Sequence, residues 1–306
     1  TSSSGPGVAL KGEAIGLAVM LELPLVILNI QRAGPSTGMP TKTEQADLMQ
    51  AMYGRNGESP AAIVAAKSPA DCFEAAFEAC RISLEHMIPT FFMSDGYLAN
   101  GSEPWNFPQT DDLQDIKVEF EPPADNGEEK FLPYKRDENF VRKWSIPGTA
   151  GLEHRVGGLE KEHLTGDVSY DPENHQQMTD FRQAKLDKIA DFIPAQEIDS
   201  GPQTGEVVLL GWGSTFGSIK TAAHELRNEG LDVSHIHLRY LNPLPRNLGN
   251  LLKGFDHVFV PELNSGQLLS VIRDKFLIDA KGINKVQGRP FGIKELKEEV
   301  KDKLNK

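Results

Sequence analysis

Apolar positions along this chain recur in two alternating rhythms. Leu10, Ala14, Leu17, Ala18 and Leu21 fall at helical spacing and predict an amphipathic helix. The apolar run Leu23–Ile30 follows without a polar face, which predicts a central strand of a parallel sheet. Thr41-Lys42-Thr43-Glu44 has the form of a capping box, with Thr41 as N-cap of a helix carrying Leu48, Met49 and Met52 on one side. Ala62–Ala66 reads as a short strand. Ser68-Pro69 then opens a helix to His86, with Ser68 as N-cap and a buried stripe of Cys72, Phe73, Ala76, Phe77 and Cys80. Pro89–Met93 is another apolar strand, ending in Ser94-Asp95-Gly96.

The pattern changes near Gln109. Residues 111–129 are acidic and rich in Pro and Asp, and Gly148-Thr149-Ala150-Gly151 and Gly157-Gly158 mark loops. Asp171-Pro172 starts a long helix to about Phe192, carried by Met178, Phe181, Leu186 and Ile189. So long a stretch without its own core predicts an arm or linker packed on something larger. From Gly205 alternation resumes. Strands are expected at Glu206–Leu210, Asp232–Arg239 and His257–Val260, and helices at Ser218–Glu229, Pro245–Leu252 and Gly266–Phe276. That is a small doubly wound α/β unit, followed by a charged helix at Glu295–Lys306. The expected division is 1–109, an arm over 110–200, and 201–306.

Bulk properties narrow the function. The 306 residues are 39% apolar, enough for one large or two ordinary domains. The formal charge is −12 and no basic block interrupts the chain, which argues against nucleic acid as a partner. No apolar run approaches the ~20 residues of a membrane span. Cys72 and Cys80 lie on one expected helix, ~12 Å apart at ~1.5 Å per residue, too far for a disulfide. Two thiols also fall short of the usual four for an iron–sulfur cluster. This usage suits a reducing compartment, and a cytoplasmic location is expected. The chain starts at Thr1, and Ser-Gly-Pro-Gly follows within seven residues, where a strand is expected to precede such a turn. The expectation is the carboxyl-terminal part of a longer polypeptide.

The candidate chemistry is concentrated after the first strand. That strand ends at Arg32, and a loop of Gly, Pro, Ser and Thr follows. A fixed cation at the carboxyl end of a buried strand, facing the hydroxyls of Ser36, Thr37 and Thr41 and a helix N-terminus, suits an anionic ligand. Guanidinium matches a planar carboxylate with two parallel hydrogen bonds. Arg32 capping a helix end, or pairing with Glu44 or Asp47, explains it equally well, as helix capping does Thr41. Lys42 is a second cation or a solvated side chain. Ser2-Ser3-Ser4-Gly5-Pro6-Gly7 either lines a cofactor pocket or is simply a capped turn, and Glu13 has no catalytic mark. Gly211-x-Gly213-x-x-x-Gly217 follows a strand, but Asp232 stands at the start of the next strand rather than its end, against a dinucleotide site. His235 and His237 share a strand face with no third ligand nearby, and His154, His163 and His175 lack metal-ligand spacing. No nucleophile elbow or P-loop is present.

Several blocks taken in order resemble the α subunit of 2-oxoacid:ferredoxin oxidoreductases, especially the 2-oxoglutarate type. They are Ser3–Gly7 with Glu13–Gly16, Gln31–Asp47, Gly151–Arg155 with Gly157–Glu160, Val168–Pro172, Tyr240–Pro245 and Pro261–Leu268. The resemblance covers nearly the whole chain. It implies an α/β fold: a pyrimidine-type thiamine-diphosphate-binding domain followed by a transketolase C-terminal-like doubly wound domain. It also implies oxidative decarboxylation of a 2-oxo acid to acyl-CoA and CO2, with electrons passed to ferredoxin. Arg32 matches the family's arginine for the 2-oxo acid carboxylate, and Thr41 a threonine of the substrate pocket. Ser4-Gly5 matches the turn beside the cofactor's aminopyrimidine. The resemblance places the family's activating glutamate and its Tyr-Pro-Ile-Thr-Pro loop upstream of Thr1. It assigns the Mg2+–diphosphate motif and the [4Fe-4S] cysteines to a partner β subunit. On that basis this chain holds no metal ligand and no catalytic residue, and is active only as a heterodimer with its partner. Pyruvate or a branched-chain acid is the alternative substrate, and a non-catalytic interaction subunit the alternative class.

Overall fold

The computed structural model describes residues 1–123 and 130–305; the rest of the acidic segment expected at 111–129 lies outside them. The first sheet contains β1 (Ser2–Ser3), β2 (Leu25–Gln31), β3 (Ala62–Ala65) and β4 (Pro89–Asp95), all parallel, in the order β1-β2-β4-β3. β2 is central, as its composition predicts. Ile27 points into one core, while Val26 and Leu28 pack on the opposite face. Its register with β4 runs from Leu25 opposite Pro89 to Gln31 opposite Asp95. The period of two therefore carries Asn29 and Gln31 onto the face of Ile27, where both are buried.

Helix boundaries differ from the sequence pattern in three places. The first expected helix is split into α1 (Gly5–Leu10) and α2 (Gly12–Leu21). Leu10 is 83% exposed, and burial runs instead through Val8, Ile15, Val19 and Leu21. α3 (Leu48–Tyr53) opens seven residues after Thr41, so the capping box is not formed; Thr41 is exposed, with φ +66°. α4 (Cys72–His86) follows a turn in which the Asp71 N–H donates to Ser68 Oγ at 3.3 Å. Its buried face is Ala75, Ala79, Ile82 and His86, because Phe73 turns aside to Trp105, ring centroids 5.3 Å apart. α5 (Gly96–Asn100) begins where β4 ends, and α6 (Pro172–Lys188) starts at the expected Asp171-Pro172, with Asp171 accepting from the Asn174 N–H at 2.7 Å.

The second sheet is wholly parallel. It comprises β5 (Gly205–Trp212), β6 (Val233–Leu238), β8 (Phe255–Glu262) and β9 (Lys281–Asn284) in the order β6-β5-β8-β9. Its helices are α7 (Phe216–Asn228), α8 (Leu248–Leu252), α9 (Gln267–Phe276) and α10 (Ile293–Leu304). β7 (Tyr240–Asn242) leaves this unit and pairs antiparallel with β3. One apolar core joins the two sheets, with Ile27, Ile63 and Phe91 of the first and Leu48 of α3 meeting Val208, Trp212 and Ile236 of the second and Leu268 of α9. α4 and α6 cover the outer face of the first sheet, and α7 and α10 that of the second. Among the described residues no helix is long and apolar enough to cross a membrane.

Candidate functional site

The parallel register aligns the carboxyl ends of β1, β2 and β4, so Ser4, Arg32 and Gly96 leave the sheet at one edge. From β2 the chain enters a closed loop. The Ala33 N–H donates to the Lys42 carbonyl at 2.9 Å, and the Met39 N–H to the Ala33 carbonyl at 2.9 Å. Arg32 stands one residue before that closure on the outgoing leg, and Thr41 one residue before it on the return. The Glu44 carboxylate braces the loop by accepting from the Gly34 N–H at 3.2 Å.

Arg32 is half-buried, and its Nε is buried without a hydrogen-bond partner. Glu44 is engaged by Gly34, and Asp47 accepts from Asn29 Nδ2 at 3.1 Å. Neither pairs with Arg32, and Arg32 forms no ion pair among the described residues. Pairing with Glu44 or Asp47 therefore does not account for this side chain. A half-buried guanidinium with an unsatisfied N–H favours a carboxylate from outside the chain. Lys42 is exposed on the same loop.

Behind the loop lies a polar layer. Asp47 N–H donates to Gln31 Oε1 at 3.1 Å, and Gln31 Nε2 donates to the Ser94 carbonyl at 3.2 Å. The Asp47 carboxyl abuts Gly5: a Cβ there would sit 2.7 Å from both carboxylate oxygens. Burial pushes this carboxyl's pKa up, opposed by the Asn29 amide and reinforced by Glu44. Asn29 Oδ1 has no partner. Ser4 is the N-cap of α1, yet its hydroxyl makes no capping bond, and behind the turn the buried Asn29 amide oxygen lacks a donor. These features fit a polar heteroaromatic ring, which has amino protons to give.

Gln45 and Glu262 fall within the Gln31–Asp47 and Pro261–Leu268 blocks, but the sequence assigns neither a role. Gln45 Nε2 donates to the Trp212 carbonyl at 2.7 Å, and its Oε1 accepts from the Leu263 N–H at 3.0 Å. Glu262, wholly buried, accepts from Trp212 Nε1, Asn264 Nδ2 and the backbone N–H groups of Leu268 and Leu269 at 2.8–3.2 Å. Burial raises its pKa, against those four donors. Gln267 holds the same segment through the Met49 N–H and the Ala46 carbonyl. The second sheet thus fixes the chain emerging from the Arg32 loop.

His235 and His237 form a buried pair, Nε2 to Nδ1 3.4 Å, with His237 Nε2 against the Gly213 carbonyl at 3.0 Å. Among the described residues no group of three or more His, Cys, Asp or Glu is placed to hold a metal ion. Cys72 and Cys80 are both free thiols.

One mixed and one wholly parallel sheet sharing a core, with Ser4, Arg32 and Gly96 leaving the first at one carboxyl edge, define an α/β protein with a candidate site at that edge. The chain belongs to the pyruvate flavodoxin/ferredoxin oxidoreductase family: the family's thiamine-diphosphate-binding model matches residues 1–169, and the pyruvate:ferredoxin oxidoreductase core domain II model matches residues 205–297. It is 52% identical over 297 residues to the 2-oxoglutarate oxidoreductase subunit KorA of Mycobacterium tuberculosis, which covers 97% of this chain and 45% of that protein. A solved 2-oxoglutarate:ferredoxin oxidoreductase from Magnetococcus marinus, with 2-oxoglutarate, coenzyme A and succinyl-CoA bound, superposes with a TM-score of 0.90 at 31% identity, over 99% of this chain and 53% of that one. Transketolase from Campylobacter jejuni shares the fold alone, with a TM-score of 0.51 at 11% identity over 98% of this chain and 35% of that one. The chain thus spans about half the length of the relatives it matches first.

Proposed function

We propose that this chain is the thiamine-pocket and core region of an α subunit that works with a β subunit in a 2-oxo acid:ferredoxin oxidoreductase, with 2-oxoglutarate as the favoured substrate. The reaction is oxidative decarboxylation to acyl-CoA and CO2, with electrons delivered to ferredoxin. Thiamine diphosphate, held with its ring at the Ser4-Gly5 turn, would supply the nucleophilic carbon and the electron sink for decarboxylation. Mg2+ and a [4Fe-4S] cluster belong to the partner subunit in this proposal. Residues 1–109 and 201–306 act as the two α/β units, and 110–200 as an arm bracing the first.

The unpartnered guanidinium of Arg32 carries the proposal. It holds the substrate's 1-carboxylate and aims the keto carbon into the pocket. That carboxylate leaves as CO2, so a grip equally tight before and during bond breaking lowers KM without raising kcat. The half-exposed position of Arg32 is consistent with such a moderate grip. Thr41 lines the same loop mouth, and Ser4-Gly5 faces the aminopyrimidine. A dicarboxylate needs a second cation, and Lys42 stands on the loop to offer it.

In the complete complex, Arg32→Ala removes a two-point charged contact of about 3 kcal/mol, and kcat/KM for every 2-oxo acid falls roughly a hundredfold. Wild-type kinetics in that variant remove Arg32 from the site. A 2-oxo acid panel with a dye acceptor ranks 2-oxoglutarate against pyruvate and branched-chain acids.

A further inference from the structure

The second sheet has the strand order of a ligand-binding one. β5 leads through α7 to β6 on one side, and β8 leads through α9 to β9 on the other. α7 and α9 accordingly pack in different cores, on opposite faces of the sheet. The order reverses between β5 and β8, and the crevice outside the carboxyl ends of two such strands is where doubly wound sheets hold their ligands. Trp212 ends β5 and Glu262 ends β8.

That crevice is filled by the chain itself. Gln45 lies in it, wholly buried, and its amide gives one bond to each wall: Nε2 to the Trp212 carbonyl at 2.7 Å, and Oε1 from the Leu263 N–H at 3.0 Å. Its backbone adds two more, the N–H donating to the Leu263 carbonyl at 3.0 Å and the carbonyl accepting from Asn264 Nδ2 at 2.8 Å. Gly213, at φ +60°, makes the room, because a Cβ there would stand 2.7 Å from Gln45 Nε2. The turn after β9 closes on the same loop: a Cβ on the buried Gly288 would meet Met39 Cε at 2.8 Å and Lys42 Cβ at 3.1 Å. The turns that follow β5, β8 and β9 thus all bear on the stretch from Met39 to Gln45. Only Thr43 and Glu44 separate Gln45 from Lys42, whose carbonyl holds the Ala33 N–H beside Arg32.

We infer that the switch-point crevice of the second unit is a socket for the Arg32 loop, and that Gln45 is a positioning residue for the 2-oxo acid carboxylate. The inference rests on the proposed role of Arg32 and extends it to the second unit. Arg32 has no partner of its own to fix it, so its place is set by the backbone that carries it. The Ala33–Lys42 bond ties that backbone to the return leg, and Gln45 ties the return leg to Trp212 and Leu263. Without the amide the buried Leu263 N–H loses its acceptor, and the return leg loses its fixed point. A two-point guanidinium contact tolerates little displacement. Affinity for the carboxylate therefore falls, while the chemistry on substrate once bound changes less.

Steady-state kinetics of the complete complex, with 2-oxoglutarate, coenzyme A and a dye acceptor, test this on Gln45→Met, Arg32→Ala and the two combined. Gln45→Met is expected to raise KM about tenfold or more, to change kcat by less than about threefold, and to leave the fluorescence quenching by thiamine diphosphate as in wild type. In the Arg32→Ala background the same substitution should change KM by less than about twofold, because it acts through that guanidinium. A wild-type KM in Gln45→Met, or an equal rise in both backgrounds, overturns the inference while Arg32→Ala alone still raises KM. A wild-type KM in Arg32→Ala instead removes the substrate reading itself. Circular dichroism and melting confirm folding. Where Gln45→Met does not assemble, Gly213→Ala displaces the amide from the opposite wall and is judged by the same outcomes.

Discussion

Glu22→Gln is the substitution whose cost the structure lets one work through. Glu22 ends α2 in the left-handed conformation, φ +49°, with 2% exposure. Arg136 Nε donates to its two oxygens at 3.1 and 3.3 Å, and Arg136 Nη2 and Lys185 Nζ approach closer still. Burial alone raises a carboxyl pKa, but the charges and hydrogen bonds of Lys185 and Arg136 outweigh it and hold Glu22 at about 2, against 4.5 for the free group. A shift of that size corresponds to about 3 kcal/mol of folding stability. Glutamine keeps the shape and removes the charge, leaving two buried cations uncompensated, a change that typically costs about 3–5 kcal/mol. The two routes agree. At roughly 2 °C per kcal/mol for a chain of this size, the melting temperature of the complex should drop by about 6–10 °C.

The sign with pH follows from the lowered folded value. The stabilisation is complete above the unfolded pKa of 4.5 and is lost as pH falls toward about 2. The wild-type–variant difference should therefore stay flat from pH 7 to about 5, then shrink by about 1.4 kcal/mol per unit below 4.5. Adding Lys185→Met to Glu22→Gln removes one stranded cation, so the double variant should melt above the single one. A drop under 2 °C, or a double variant that melts below the single one, refutes the ion-pair account.

Three other expectations follow from the same geometry. Gly5→Ala pushes a Cβ to 2.7 Å from the Asp47 oxygens, so thiamine diphosphate affinity, read by fluorescence quenching of the complex, should fall, and Asp47→Gly in the same chain should restore it. Unchanged affinity in the single variant removes that turn from the cofactor pocket. Glu262→Gln keeps an oxygen for the three donors on Oε1 but sets an amide N–H against the Leu269 N–H, which should cost about 1–3 kcal/mol in urea unfolding and raise the KM for 2-oxo acids through the Gln45–Met49 segment. A loss of stability with KM unchanged denies the coupling. Burial, aided by nearby cations, lowers His86 to about 4 and His235 to about 3, and holds His237 well below the ordinary imidazole value. The unfolded chain takes up these protons near 6.5, so stability should be unaffected at pH 7 and decline below 6.5 by up to about 4 kcal/mol per unit; a flat profile from pH 7 to 5 contradicts neutral buried rings.

How far the sequence was legible depended on whether a residue's environment is local. Runs such as Leu25–Leu28 and Val207–Leu210 announce buried parallel strands because both faces are apolar, whatever they meet. β7 and β9 are three and four residues long with polar ends, and β7 exists only because Asn242 and Tyr240 reach back to Ile63 and Val64. Thr41-Lys42-Thr43-Glu44 has every local mark of a helix start. It fails because Gln45 is bonded to Trp212, 167 residues away, and to Leu263, which hold the chain extended through Gln45 until α3 can begin.

The site divides along the same line. Arg32 stood out because an apolar strand ended on it, and strand ends are positions the sequence reveals. Which carboxylate it met was not legible; that required knowing that Glu44 turns to Gly34 and Asp47 to Asn29. Glu22 was invisible for the converse reason. A glutamate between a helix and a strand has the pattern of a solvated residue, and its partners lie 114 and 163 positions downstream. The charges around Glu22 at one edge of the sheet and the cation proposed to meet a substrate at the other are alike in composition. Only tertiary pairing separates them: Glu22 has its cations within the chain, whereas Arg32 has no carboxylate partner among the described residues, and on that difference the proposal of a ligand at Arg32 rests.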